Sequence, residues 1–135
     1  MNKFTSALRF HNYVVNSVNF EHNLDFDSET VSIDFKINRK IKFTSASEMQ
    51  VTLELDVFPD YKEKNYPFNL KTTFTGYFEV DLDDADMDAK KYAETNAVAI
   101  LFPYVRALVS TFTANSNVQP LILPPINVVK MMENE

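Results

Sequence analysis

The sequence predicts an α+β domain, an antiparallel sheet of four strands followed by one long helix. Three observations carry this. Four stretches alternate apolar and polar residues with a period of two, short polar segments join them, and the only long run with a helical period comes after them all. In that run, residues 96–113 (NAVAILFPYVRALVSTFT), Val98, Leu101, Phe102, Val105, Leu108, Val109 and Phe112 follow i, i+3, i+4, i+7 spacing and form one core-facing stripe. Strands first and helix last is not a βαβ order, so a dinucleotide-type site at strand ends is not expected.

The first strand, over residues 8–20, changes register as it goes. Leu8 and Phe10 share one parity, Tyr13 and Val15 take the other, and Val18 and Phe20 return to the first, as β-bulges would produce. Residues 23–30 (NLDFDSET) read as a polar loop. The second strand alternates most cleanly: Val31, Ile33, Phe35, Ile37, Ile41 and Phe43 against Ser32, Asp34, Lys36 and Asn38. Residues 45–48 turn the chain. A third strand sets Met49, Val51, Leu53, Leu55 and Val57 against Gln50, Thr52, Glu54 and Asp56. The charged stretch 59–67 (PDYKEKNYP), bounded by prolines, is a hairpin loop. The fourth strand carries Phe68, Leu70, Phe74, Phe78 and Val80 on one face and Asn69, Lys71, Thr73, Thr75 and Glu79 on the other.

Residues 81–91 (DLDDADMDAKK) form an acidic connector, after which Thr95 or Asn96 is expected to cap the helix. Pro103 lacks an amide hydrogen and clashes with the preceding turn, so the helix is expected to start or kink near Leu101 and Phe102. Asn115 or Asn117 suits the left-handed position that ends a helix. Ile100 and Tyr104 widen the apolar arc beyond one half of the circumference. A single sheet cannot cover such an arc, which predicts a second layer, most simply a second subunit. Beyond the helix, Pro120, Pro124 and Pro125 make residues 118–129 extended, and the last residues allow a short terminal turn at most.

Composition limits the chemistry. The 135 residues make one domain, 1–135, with no visible linker. One glycine, Gly76, leaves no glycine-rich phosphate loop, and the lack of cysteine removes disulfides, thiolate metal sites and cysteine nucleophiles. The first residues meet polar positions too soon for a signal peptide, and no run reaches membrane-spanning length, so a soluble cytosolic protein with no membrane insertion is expected. A net charge of -6, with Arg39, Lys40 and Lys42 as the densest basic group, argues against nucleic acid. Asp84, Asp86 and Asp88 have D-x-D-x-D spacing, but Ala89 and Thr95 stand where a calcium loop needs glycine and a bidentate glutamate, so a solvated linker is expected and no metal. His11 and His22 have no triad-like partners. Tyr104 and Arg106 read as interface packing with a satisfied guanidinium. No catalytic residues and no cofactor are expected. Surplus apolar surface on the helix flanks and the proline segment points to a partner.

The stretch ILFPYVRALVS, residues 100–110, resembles the hallmark helix of the SecB family of export chaperones. LILPPINV, residues 121–128, resembles the family's leucine-rich segment ending in Pro-Val-Asn. VNFEHN (18–23), VSIDF (31–35) and the Phe68, Gly76, Phe78 pattern are similar to its first, second and fourth strands, so the resemblance spans nearly the whole chain. It implies a dimer of dimers, a homotetramer with helices sandwiched between sheets, with Ile100, Leu101, Tyr104, Val105 and Leu108 as candidate interface residues. It also implies a non-enzymatic, ATP-independent holdase. Such a protein binds unfolded or partly folded client polypeptides in apolar grooves, here with Val31, Ile33, Phe35, Leu121, Ile122 and Leu123 as lining, and keeps them competent for export by SecA. Two departures qualify that picture. The family's second, lid-forming helix is expected to be shortened, since the chain ends soon after Met131 and Met132. For SecA, Glu21 matches an acidic contact, but Ser17 and Lys71 stand where others would be acidic, which suits a toxin-antitoxin or phage-related branch with a dedicated partner. The alternative is a non-catalytic module of the same fold that docks one partner or a small hydrophobic ligand.

Overall fold

The structure, a computed structural model, describes residues 8–81, 87–127 and 130. β1 (Leu8–His22), β2 (Phe35–Phe43), β3 (Glu48–Val57) and β4 (Phe68–Val80) form one antiparallel sheet in the order β1-β4-β3-β2, and α1 (Met87–Ala114) follows. This is the predicted fold class. Asp84, Asp86, Met131 and Met132 lie outside the described residues.

Parity in β1 anticipates its bulges. The β1–β4 register slips between Phe10 and Asn12 and again between Val15 and Ser17, so His11 and Asn16 are the extra residues. Each slip returns the next apolar residue to the face that α1 covers: Phe10 opposite Phe78, Tyr13 opposite Gly76, Val15 opposite Phe74, Val18 opposite Thr72. Asn16 is not idle in its bulge, since its Oδ1 accepts the Thr75 hydroxyl at 2.7 Å.

The second strand begins at Phe35, not at Val31. Phe35 pairs with Val57, the last residue of β3, so nothing remains for residues 31–34 to pair with. Phe58 then turns into the left-handed region (φ 55°), and its amide makes a final bond to the Asp34 carbonyl at 2.8 Å. Because β1 and β2 are opposite edges, residues 23–34 must cross the end of the sheet, over the β3–β4 hairpin loop.

The helix corrects the sequence more. It starts at Met87, so part of the acidic connector is helical, and Thr95 and Asn96 are interior residues rather than caps. Their side chains bond back to the Lys91 and Tyr92 carbonyls, both at 3.0 Å. Ala89, Lys90, Lys91, Ala93 and Glu94 are good helix formers, and their summed preference outweighs the acidic, loop-like look of the stretch. Nor does Pro103 start the helix, which continues through it. Pro103 and Ala99 are both exposed, so the carbonyl that loses its partner faces water and the cost is bearable. Asn117 (φ 58°) takes the left-handed position beyond the end, as predicted.

At 28 residues α1 is about 42 Å long, which matches the roughly 44 Å of the 13-residue β4 beneath it. Ala93, Ala97, Val98, Leu101, Phe102, Val105 and Val109 are buried against Met49, Val51, Leu53, Leu70, Phe74 and Phe78. By length and composition, residues 90–114 would also suffice to cross a membrane, contrary to the expectation that no run is long enough. Here that segment is the core helix of a folded domain.

The closest approach is at Gly76. A Cβ there would lie 2.8 Å from Phe78 Cε1 and 3.2 Å from both Leu101 methyls. Gly76 has no positive φ, so it is needed for room and not for conformation. Gly76→Ala should destabilise the fold by about 1–3 kcal/mol through overpacking, read as a lower midpoint with unchanged slope in urea unfolding.

Candidate functional site

Three surfaces stand out, and each follows from how the helix sits. On a 100° wheel Tyr104 and Arg106 lie on opposite flanks of α1. The Tyr104 flank faces β1, where the ring packs 5.7 Å from Phe10 and 4.6 Å from Tyr13. Tyr13 stacks in turn on Phe74 at 5.7 Å. Past this cluster the helix is bare: Ile100, Pro103, Tyr104, Ala107 and Thr111 make an exposed stripe, with Tyr13 and Val15 of β1 exposed beside it. Among the described residues, no second layer of the kind the wide apolar arc predicts covers this side. Leu101 and Val105, expected at an oligomer interface, are 0 % and 1 % exposed and belong to the protomer's own core, whereas Ile100 (37 %) and Tyr104 (39 %) are on the surface. Leu108 is half-buried.

The Arg106 flank faces away from β1, toward β2, and holds the proline-rich segment. Arg106 Nε donates to the Leu123 carbonyl and the Ser110 hydroxyl to the Leu121 carbonyl, both at 3.0 Å; the Leu121 amide donates to Thr113 Oγ1 at 2.9 Å. Arg106 is thus satisfied by a carbonyl. Pinned in this way, the extended segment points Leu121 and Leu123 inward, where both are buried, and turns Ile122 outward, 71 % exposed. Phe35, Ile37, Ile41 and Phe43 of β2 pack against the same cluster from below and stay half-buried. Of the six predicted groove residues, the fold gathers Phe35, Leu121 and Leu123 into one cluster. Val31, Ile33 and Ile122 remain exposed.

The third feature, unseen in the sequence, is a lock where the 23–34 crossover passes the β3–β4 hairpin loop. Tyr66 donates its hydroxyl to Asp34 Oδ2 at 2.8 Å and Lys64 Nζ lies 3.7 Å from the same oxygen. Asn65 Nδ2 donates to Asp27 Oδ1 at 2.8 Å, Asn23 Nδ2 to the Tyr66 carbonyl at 2.9 Å, and Tyr61 its hydroxyl to Glu21 Oε2 at 3.0 Å. Proline-bounded charge in the sequence marks a loop but not its partners. Glu21, the candidate SecA contact, is exposed on the outer sheet face and engaged by Tyr61; Ser17 and Lys71 share that face.

Histidine positions follow the same frame. His22 Nε2 is 2.7 Å from the Ser116 carbonyl, joining β1 to the end of α1. His11 lines a depression of about 310 Å³ with Glu48, Gln50, Tyr77 and Glu79. Among the described residues no group of three His, Asp or Glu side chains is placed to hold a metal ion.

This architecture has known counterparts. A sequence model for "Preprotein translocase subunit SecB" matches residues 6–135. The chain belongs to the SecB family. An uncharacterized protein of Methanocaldococcus jannaschii is 38 % identical over 131 residues, covering 95 % of this chain and 84 % of that one. Among solved structures, the SecB-like chaperone Rv1957 of Mycobacterium tuberculosis, in complex with a ChAD peptide from the HigA1 antitoxin, superposes with a TM-score of 0.69 at 14 % identity, over 93 % of this chain and 91 % of that one. A protein of unknown function from Streptococcus agalactiae gives a TM-score of 0.52 at 14 % identity, over 87 % and 96 %. The likeness to Rv1957 establishes the SecB-like fold.

The lock has a pH signature. The hydrogen bond to Asp34 raises the Tyr66 hydroxyl above its ordinary pKa of 10.0, with desolvation adding to it, and the bond to Glu21 does the same for Tyr61. A raised folded-state pKa means stability that is fully present below the unfolded value near 10 and is lost as pH rises through the folded one. In urea titrations from about pH 9 to pH 11, the wild type should therefore lose more stability than Tyr61→Phe/Tyr66→Phe; parallel losses would show that the hydroxyls are not coupled to folding.

Proposed function

We propose that this protein is an ATP-independent holdase of the cytosol, a SecB-like chaperone without enzymatic activity that binds unfolded or partly folded polypeptides. The observation that carries this reading is the family match across residues 6–135. The surface supports it: Val31, Ile33 and Ile122 are apolar and exposed, and β2 adds a half-buried row of Phe35, Ile37, Ile41 and Phe43. Unfolded chains differ from folded ones mainly in exposed apolar residues, so a poorly selective apolar surface recognises them where a catalytic constellation would not. Retention of the client needs no nucleotide, only preferential binding to the unfolded state.

The bare stripe on α1 is the face for a second copy. Ile100, Tyr104, Ala107 and Thr111, with Tyr13 and Val15, form an apolar patch that a symmetric neighbour would cover, and a dimer of dimers would sandwich the helices from both sides. Hand-over to SecA would pass through Glu21. Ser17 and Lys71, on the same face, stand where acidic contacts would be expected, and delivery to a dedicated partner is favoured. Rv1957 in complex with a peptide from the HigA1 antitoxin is a precedent for such a partner.

Ile122 and Leu123 separate binding from folding. Ile122→Ser should leave urea stability within about 0.5 kcal/mol of wild type while weakening suppression of aggregation of a reduced, permanently unfolded client. Leu123→Ala, which empties a buried site, should cost about 2–5 kcal/mol. If the wild type fails to suppress aggregation yet binds a single folded partner, the docking-module alternative takes its place. For the helix stripe, Ile100→Glu/Tyr104→Glu should keep the circular dichroism spectrum and lower the assembly mass in sedimentation. A variant with unchanged mass would place the interface elsewhere.

A further inference from the structure

The two edges of the sheet differ in chemistry. β1 is bulged twice and carries one Arg and one Glu in 15 residues, so its charge is nearly neutral. β2 pairs with β3 without a break and carries Lys36, Arg39, Lys40 and Lys42 in nine residues with no acid, in a chain whose net charge is -6. Lys40 lies 3.3 Å from Glu54. Lys36 and Lys42, both exposed, form no ion pair among the described residues. No described strand pairs with the outer edge of β2, which leaves its backbone N–H and C=O groups open.

We infer that the edge of β2 is a docking strand for extended polypeptide segments in which acidic and apolar residues alternate. This deepens the holdase reading and rests on it, by naming the class of client. An added strand satisfies the open backbone groups. Its side chains repeat on each face every two residues, about 7 Å, the same step that separates Lys40 from Lys42. Acidic residues on its outer face meet Lys36, Lys40 and Lys42; apolar residues on its inner face continue the half-buried row of Ile37 and Ile41. The same cations repel a second copy of β2, so the edge is closed to self-pairing while open to an acidic strand. Single-stranded nucleic acid also meets cations and phenylalanines, but it offers no backbone ladder for the open edge and faces an acidic protein.

The test is fluorescence anisotropy with labelled nine-residue peptides, the length of β2, alternating Val with Glu, with Lys or with Ser. The Glu peptide should bind about tenfold tighter than the Lys peptide, as two modest exposed attractions exchanged for repulsions at Lys36 and Lys42 would give, and the advantage should shrink in salt. Lys36→Gln/Lys42→Gln should remove most of that advantage, Lys36→Glu/Lys42→Glu should invert it, and N-methylating alternate amides of the Glu peptide should abolish binding. Equal binding of the Glu and Lys peptides, indifference to the lysine substitutions, or tolerance of N-methylation overturns the inference. So does displacement of the peptide by a single-stranded oligonucleotide at similar concentration, which would mark a general anion patch. Aggregation suppression of the reduced client is measured alongside. If it persists when the peptides fail to discriminate, the acidic-client inference falls alone; if it is absent too, the holdase reading falls with it.

Discussion

The contact of Leu101 with Gly76 sets the position of everything above the sheet. Because strand residue 76 has no side chain, α1 settles directly on β4, between Phe74 and Phe78, and its length matches that of the strand. A helix centred there covers β1, β4 and β3 but reaches β2 poorly. Leu121 and Leu123, held by Arg106, Ser110 and Thr113 on the far flank, join the cluster that the inner face of β2 packs against. The near flank, with Ile100 and Tyr104, is left exposed among the described residues. One close approach therefore leaves both a half-buried apolar row on β2 and an exposed apolar stripe on α1.

A second constraint closes the opposite end. With β1 and β2 at opposite edges, the chain must cross the sheet end between His22 and Phe35, and the β3–β4 hairpin loop lies beneath that path. The two are fastened by side chains: Tyr61 to Glu21, Asn65 to Asp27, Tyr66 and Lys64 to Asp34. Phe58, buried and in the left-handed region, anchors the loop against Tyr66 and Phe68 with ring centroids 4.8 and 5.0 Å away. A bulky residue there is strained, and the strain persists because both rings and the Asp34 carbonyl hold it. Val31 and Ile33, both exposed, lie within the crossover that the lock ties down.

Strand periodicity made the sheet legible, even the two bulges of β1, because each register slip must restore a buried parity that the residues display. The start of α1 was not legible, since it lies inside a stretch whose preceding residues are acidic and its first turns hold no large apolar residue on the core stripe, while Thr95 and Asn96 look like caps until their bonds to the preceding turn are seen. Where β2 begins depends on where β3 ends, which no local pattern in residues 31–34 reveals. For the site, apolar type alone could not separate Leu123 from Ile122, or Leu101 and Val105 from Tyr104. Which side of an extended segment or helix faces the core is set by partners distant in sequence.

The central claim is that a SecB-family fold here serves as an oligomeric holdase, built around a helix that one sheet only half covers. Light scattering on a size-exclusion column tests it most directly, with the protein alone and then mixed with a reduced, permanently unfolded client. The account predicts a tetramer that carries the client with it, without nucleotide. A monomer that elutes apart from the client would contradict it, leaving the fold intact and its function as a chaperone refuted.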